Sequence, residues 1–92
     1  MRVALTERFQ ADVRELDDTE RAAVFEAMLG VPRALGRPHA HAGVALRKLH
    51  VRGIWEGRVG LGLRVVFTVE PDLLTFVRAG NHDDIRRFLR TI

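Results

Sequence analysis

Residues 61–69 read Leu61-Gly62-Leu63-Arg64-Val65-Val66-Phe67-Thr68-Val69. In an extended chain Leu61, Leu63, Val65, Phe67 and Val69 fall on one side and Gly62, Arg64, Val66 and Thr68 on the other. That period of two marks a strand with one face in a core. Pro71-Asp72 follows as a turn, and residues 73–79 return as a second strand, with Thr75 and Val77 facing one way and Phe76 and Arg78 the other. Upstream, residues 54–59 (Ile-Trp-Glu-Gly-Arg-Val) read as a third strand, joined through the Gly60-Leu61-Gly62 turn. A less regular strand begins at residue 44, where Leu46, Leu49 and Val51 break strict alternation.

The remainder is helical. Residues 2–5 suit a short first strand, after which Thr6 can cap a helix with Phe9, Val13 and Leu16 at i, i+4 and i+7. Asp17 and Glu20 have capping-box spacing and start a second helix, whose apolar face carries Ala23, Val24, Ala27, Met28 and Val31. Pro32 disfavours helical geometry at Val31, though a kink would let the helix resume. Residues 36–43 read as a loop, and Asn81 can cap a last helix over 82–90 with Ile85 and Leu89 on one face. The order β-α-α-β-β-β-α predicts an α+β fold: two N-terminal helices packed on a mostly antiparallel sheet.

A chain of 92 residues is too short for two self-sufficient cores, so residues 1–92 are expected to form one domain. Its 47% hydrophobic and 29% charged content is too apolar for a disordered chain. The absence of Cys excludes disulfide scaffolds, Cys-based zinc modules and thiol nucleophiles, and the absence of Ser excludes a serine nucleophile. No apolar run approaches the roughly 20 residues that span a bilayer. Arg2 and Glu7 come too early for a signal-peptide core, so a cytoplasmic protein without membrane contact is expected. His39-Ala40-His41 is too close for helical i, i+4 ligation and no carboxylate joins it, so no metal or other cofactor is expected.

Charge is unevenly distributed. Residues 1–31 carry four basic and seven acidic side chains, residues 32–69 seven basic and one acidic, and residues 70–92 four of each. The middle segment is a candidate anion-binding face, and every basic residue in the chain but Lys48 is arginine, the side chain suited to forked contact with phosphate. A hairpin centred on Leu61 places Arg58 opposite Arg64. A three-residue loop over Glu70-Pro71-Asp72 would place Arg64 opposite Arg78, whereas a two- or four-residue loop would separate them onto opposite faces. Like charges directly opposed on a sheet repel. Either a bound anion or nearby acids such as Glu56, Glu70 or Asp83 must compensate them. His82 follows Arg78 by four residues and can overhang the same face, where an imidazole is suited to proton transfer. His50 shares a strand face with Lys48 if that strand is regular.

The order of elements resembles the RelE/ParE toxin superfamily. So do Lys48-Leu49, Trp55-Glu56-Gly57-Arg58-Val59-Gly60, Leu63-Arg64-Val65-Val66-Phe67 and Phe76-Val77-Arg78-Ala79-Gly80-Asn81-His82. The resemblance covers nearly the whole chain and, within the superfamily, is nearest the RelE-like mRNA interferases that use histidine. It implies the toxin of a type II toxin–antitoxin module: a metal-independent endonuclease acting on mRNA at the ribosome and held by a cognate antitoxin. ParE-like members inhibit DNA gyrase instead, and a toxin fold can also survive as an inactive antitoxin-binding protein. By the resemblance, Arg64 takes the position that contacts the scissile phosphate. Arg78 and His82 form the Arg-x-Gly-x-His ending whose histidine takes part in proton transfer. Arg64, Arg78, His82 and His50 are then the candidate catalytic residues. Arg47, Lys48, Arg58 and Arg86 are the candidate RNA-binding cations, Arg86 standing where many RelE-like toxins carry a tyrosine.

Overall fold

The computed structural model describes residues 2–36, 45–49 and 53–92. Strand β1 (Arg2–Leu5) leads into helices α1 (Glu7–Arg14) and α2 (Asp18–Gly36). Strands β2 (Ala45–Leu49), β3 (Ile54–Val59), β4 (Leu63–Glu70) and β5 (Leu73–Asn81) follow, then helix α3 (His82–Leu89). The five strands form one sheet in the order β1-β5-β4-β3-β2, antiparallel except where β1 runs parallel to β5.

Thr6 couples the first strand to the first helix. Its hydroxyl accepts the Phe9 N–H and donates to the Val77 carbonyl, both at 3.0 Å, so one side chain caps α1 and ties it to β5. Asp17 and Glu20 form the reciprocal capping box that their spacing predicts. Arg21 donates to the carbonyls of Val13, Arg14 and Leu16, closing the α1–α2 corner. Helix α2 continues through Pro32 to Gly36. A proline inside a helix costs about 3 kcal/mol, and burial on both sides offsets it: Val24, Ala27 and Val31 before it and Ala34 after it all face the core.

The sheet is covered on both faces. Phe9 and Val13 of α1 and Val24, Ala27 and Val31 of α2 pack on Val59, Leu63, Val65, Phe67, Leu74, Phe76 and Ala79. On the reverse face Ile85 of α3 joins Ile54 and Val66, with Leu49, Val77, Phe88 and Leu89 around them. Leu46 and Leu49 of β2 therefore serve opposite cores, which is why that strand does not alternate.

Three sequence expectations need correction. Leu61 is not on the core face; it is the fully exposed tip of the β3–β4 turn. The β4–β5 loop has two residues, not three, because Glu70 pairs with Leu73. Phe76 and Arg78 do not face the same way. Phe67 pairs with Phe76 but Val66 pairs with Arg78, so Val77 is an extra residue in β5, a bulge.

At the end of β5 the Asn81 side chain accepts the Asp84 N–H at 2.8 Å and Asp84 accepts the Asn81 N–H at 3.1 Å, a second capping box. A Cβ added at Gly80 would lie 2.8 Å from the Asp84 Cβ. Gly80→Ala is therefore expected to force Asp84 out of the box and cost about 2 kcal/mol, read as a lower urea midpoint. Gly62→Ala, where an added Cβ meets nothing within 4 Å, should leave the midpoint unchanged.

Candidate functional site

The β3–β4 register pairs Arg58 with Arg64, as a hairpin centred on Leu61 requires, and the β2–β3 register pairs Arg47 with Glu56. Residues directly opposite share a face, and positions two apart along a strand do too. Arg47, Glu56, Arg58 and Arg64 thus stand together on the face away from α1 and α2, beyond the part that α3 covers. They line a cleft of about 220 Å³. Glu56 is buried, and its Oε1 accepts from Arg64 Nη1 at 2.7 Å. Arg47 and Arg58 are exposed, with no ion-pair partner among the described residues. One carboxylate therefore sits among three guanidiniums and offsets the repulsion between the directly opposed Arg58 and Arg64.

Arg64 lies opposite Gly80, and Arg78 lies opposite Val66. The bulge restores the parity that a two-residue loop alone would have broken, so Arg64 and Arg78 share a face after all. They do not share a cleft. Arg78 Nε donates to Asp12 Oδ2 of α1 at 2.7 Å, and the same oxygen accepts the Ala79 N–H at 3.0 Å. The Arg78 guanidinium also lies over the Phe88 ring, 5.3 Å from its centroid, a cation–π contact that fixes its plane. Arg8 Nε approaches the other oxygen of Asp12 at 3.4 Å. This second cleft, about 380 Å³, lies between α1, the end of β5 and α3, and Arg87, Asp84 and Glu15 complete its charged lining.

His82 is the first residue of α3, exposed, two positions past the Gly80 that opposes Arg64. Arg86 is exposed one helical turn further along, on the same side of the helix. Lys48 departs from the group: it pairs with Trp55, so it lies on the face of α1 and α2, opposite to Arg47. His50, His39 and His41 lie outside the described residues. Among the described residues no three His, Cys, Asp or Glu side chains come together as metal ligands, and no helix is long and apolar enough to cross a membrane.

Asp12 was not legible as a site residue, yet a signal existed. It occupies the i+3 position between Phe9, Val13 and Leu16, where the helix pattern calls for an apolar side chain, and an acid there needs a buried partner.

No protein-family model and no curated protein matches this chain. Solved structures do match. The RelB–RelE antitoxin–toxin complex from Methanococcus jannaschii matches with a TM-score of 0.68 at 15% identity, over 92% of this chain and 96% of that one. YafQ from Escherichia coli gives 0.65 at 17% identity, over 92% and 98%. A copper-bound mutant toxin from Helicobacter pylori gives 0.70 at 20% identity, over 92% and 98%. The chain has the RelE-like toxin fold: helices on a five-stranded, mostly antiparallel sheet.

The Glu56–Arg64 pair yields a thermodynamic prediction. Glu56→Leu leaves Arg64 uncompensated beside Arg58 and should cost about 3 kcal/mol in denaturant unfolding. The double variant Glu56→Leu/Arg64→Met should recover most of that loss, because both charges are then gone.

Proposed function

We propose that this chain is the toxin of a type II toxin–antitoxin pair and a metal-independent endoribonuclease that cuts mRNA at the ribosome. The toxin assignment draws on the fold, since structures sharing it include toxins solved with antitoxins, among them RelB–RelE and DinJ–YafQ from Escherichia coli. A cognate antitoxin is accordingly the expected partner, with the ribosome and mRNA as the target. The observation that carries the nuclease reading is the exposed face on which Arg47, Arg58 and Arg64 surround one carboxylate, with His82 beside the end of the neighbouring strand.

The chemistry needs no metal. The 2′-oxygen of a ribose attacks the adjacent phosphorus as its proton is taken by a base. The P–O5′ bond breaks and O5′ gains a proton, leaving a 2′,3′-cyclic phosphate and a 5′-hydroxyl. Negative charge builds on the phosphorane oxygens between these steps, where a fixed guanidinium lowers the barrier most. Arg64, held by Glu56 through one nitrogen, has donors left for those oxygens. Arg58 adds a second cation beside it. His82 is the proton-transfer residue, and its exposed place at the start of α3 leaves the imidazole accessible to substrate. Arg86, on the same side of the helix, extends the basic surface along the RNA.

The test is expression of the protein alone in bacteria, with labelled amino acid and labelled thymidine followed in parallel. Protein synthesis should fall within minutes and new mRNA ends should appear while DNA synthesis continues. Arg64→Ala and His82→Ala should abolish the arrest without loss of antitoxin binding. A fall in DNA synthesis with translation intact would overturn the nuclease reading in favour of a gyrase inhibitor. Harmless expression of the wild type would identify an inactive antitoxin-binding protein.

A further inference from the structure

Asp12 and Glu56 are the two buried charged residues among those described, and each holds one arginine at 2.7 Å. The two anchors pull in opposite directions. Glu56 is on β3, so Arg64 leans toward the β2 side of the sheet. Asp12 stands at the edge of β5, so Arg78 leans outward past that edge. With strands about 4.8 Å apart, the anchors are on the order of 10 Å from each other across the sheet. Among the described residues none lines both clefts. Arg64 spends Nη1 on its carboxylate and Arg78 spends Nε. A guanidinium has five N–H donors, so each keeps several for a ligand. No buried side-chain nitrogen or oxygen among the described residues lacks a partner, so those spare donors reach solvent.

We infer that Arg64 and Arg78 hold two different phosphates of one RNA strand, with Glu56 and Asp12 as the positioning residues that keep them apart. The inference rests on the RNA-cleaving reading. Arg64 takes the phosphate that is cut and Arg78 a neighbouring one, which fixes the direction of the strand across the sheet. Anchored to carboxylates on opposite sides, the two guanidiniums offer their spare donors at separate places, and drawing either off its buried carboxylate is the costly case for a charge out of water.

Ribosomes programmed with short mRNAs test this. A 2′-O-methyl group at the cut blocks cleavage, and single phosphates are replaced in turn by an uncharged methylphosphonate. Retention is measured for the wild type, for Arg64→Gln combined with Glu56→Gln, and for Arg78→Gln combined with Asp12→Asn, so that neither leaves its buried carboxylate unpaired. Glu56→Gln alone and Asp12→Asn alone are the controls, and thermal unfolding confirms that each variant is folded. Each arginine variant is expected to bind the unmodified message about tenfold more weakly than its parent, one charged contact's worth. Each should become indifferent to methylphosphonate at one position, and the two positions should differ. Both variants becoming indifferent at the same phosphate would overturn the inference and leave the nuclease reading standing. Wild-type binding by the Arg78 variant on every message would also overturn it and make the Asp12 pair purely structural. If the wild type is not retained on any programmed ribosome, the RNA reading itself fails.

Discussion

One extra residue in β5 governs which side chains reach the arginine-bearing face. With a two-residue turn at Pro71-Asp72 and no bulge, Arg78 would stand opposite Val65, in the fully buried core beneath α1 and α2. A guanidinium there would face Phe9, Val13 and Phe76 without water. The extra residue, Val77, shifts the register so that Ala79 takes the place opposite Val65 and Arg78 moves to the reverse face, opposite Val66. The same shift puts Gly80 opposite Arg64, a neighbour that offers no side chain to crowd it. Core packing and the placement of Arg78 are thus one constraint, met by a single inserted position.

The bulge falls just beyond the end of β1, whose last pair is Leu5 with Phe76. Past that point the outer edge of β5 has no strand beside it, and its polar groups need other partners. Thr6 supplies two: its N–H donates to the Phe76 carbonyl and its hydroxyl to the Val77 carbonyl. Asp12 supplies the third by accepting the Ala79 N–H. The helix that closes the core therefore also closes the strand edge, and Asp12 can hold Arg78 because it is already fixed by the backbone. An arginine anchored this way surrenders little further rotational freedom when it meets a ligand.

Much of this was visible in the residues. Capping boxes are local, so Asp17 with Glu20, and Asn81 as a cap, follow from spacing alone. The Arg58–Arg64 pairing follows from the Gly60-Leu61-Gly62 turn. The bulge was not visible, because no glycine marks it and the residues Phe76-Val77-Arg78 read as an ordinary strand. It exists because a register that buries Ala79 is better than one that buries Arg78, and that comparison needs the packed core. Asp12 and Arg78 are 66 positions apart in the chain, so no periodicity connects them. The resemblance puts Lys48 beside Arg47 among the RNA-binding cations, but adjacent residues of a strand face opposite ways, and the structure separates them accordingly.

The two clefts differ in a way that bears on how a polyanion would approach. Around the first, Arg47, Arg58 and Arg64 outnumber Glu56, an excess of two positive charges. Around the second, Arg8, Arg78 and Arg87 are balanced by Asp12, Glu15 and Asp84. Within the screening length, about 8 Å at physiological salt, an unbalanced charge is felt further from the surface than a balanced set, whose fields cancel. The first cleft therefore attracts an anion from a distance, whereas the second acts only on contact, through guanidinium donors whose direction is set. Attraction and orientation of an anion would then rest on different arginines. The division follows from where the acids lie: the middle segment, rich in arginine, carries only Glu56, while Asp12 and Glu15 of the acidic N-terminal segment fold against the end of β5. The N-terminal acids thus neutralise Arg78 and leave the excess of the middle segment exposed at Arg47 and Arg58, and that contrast gives the sheet face a direction.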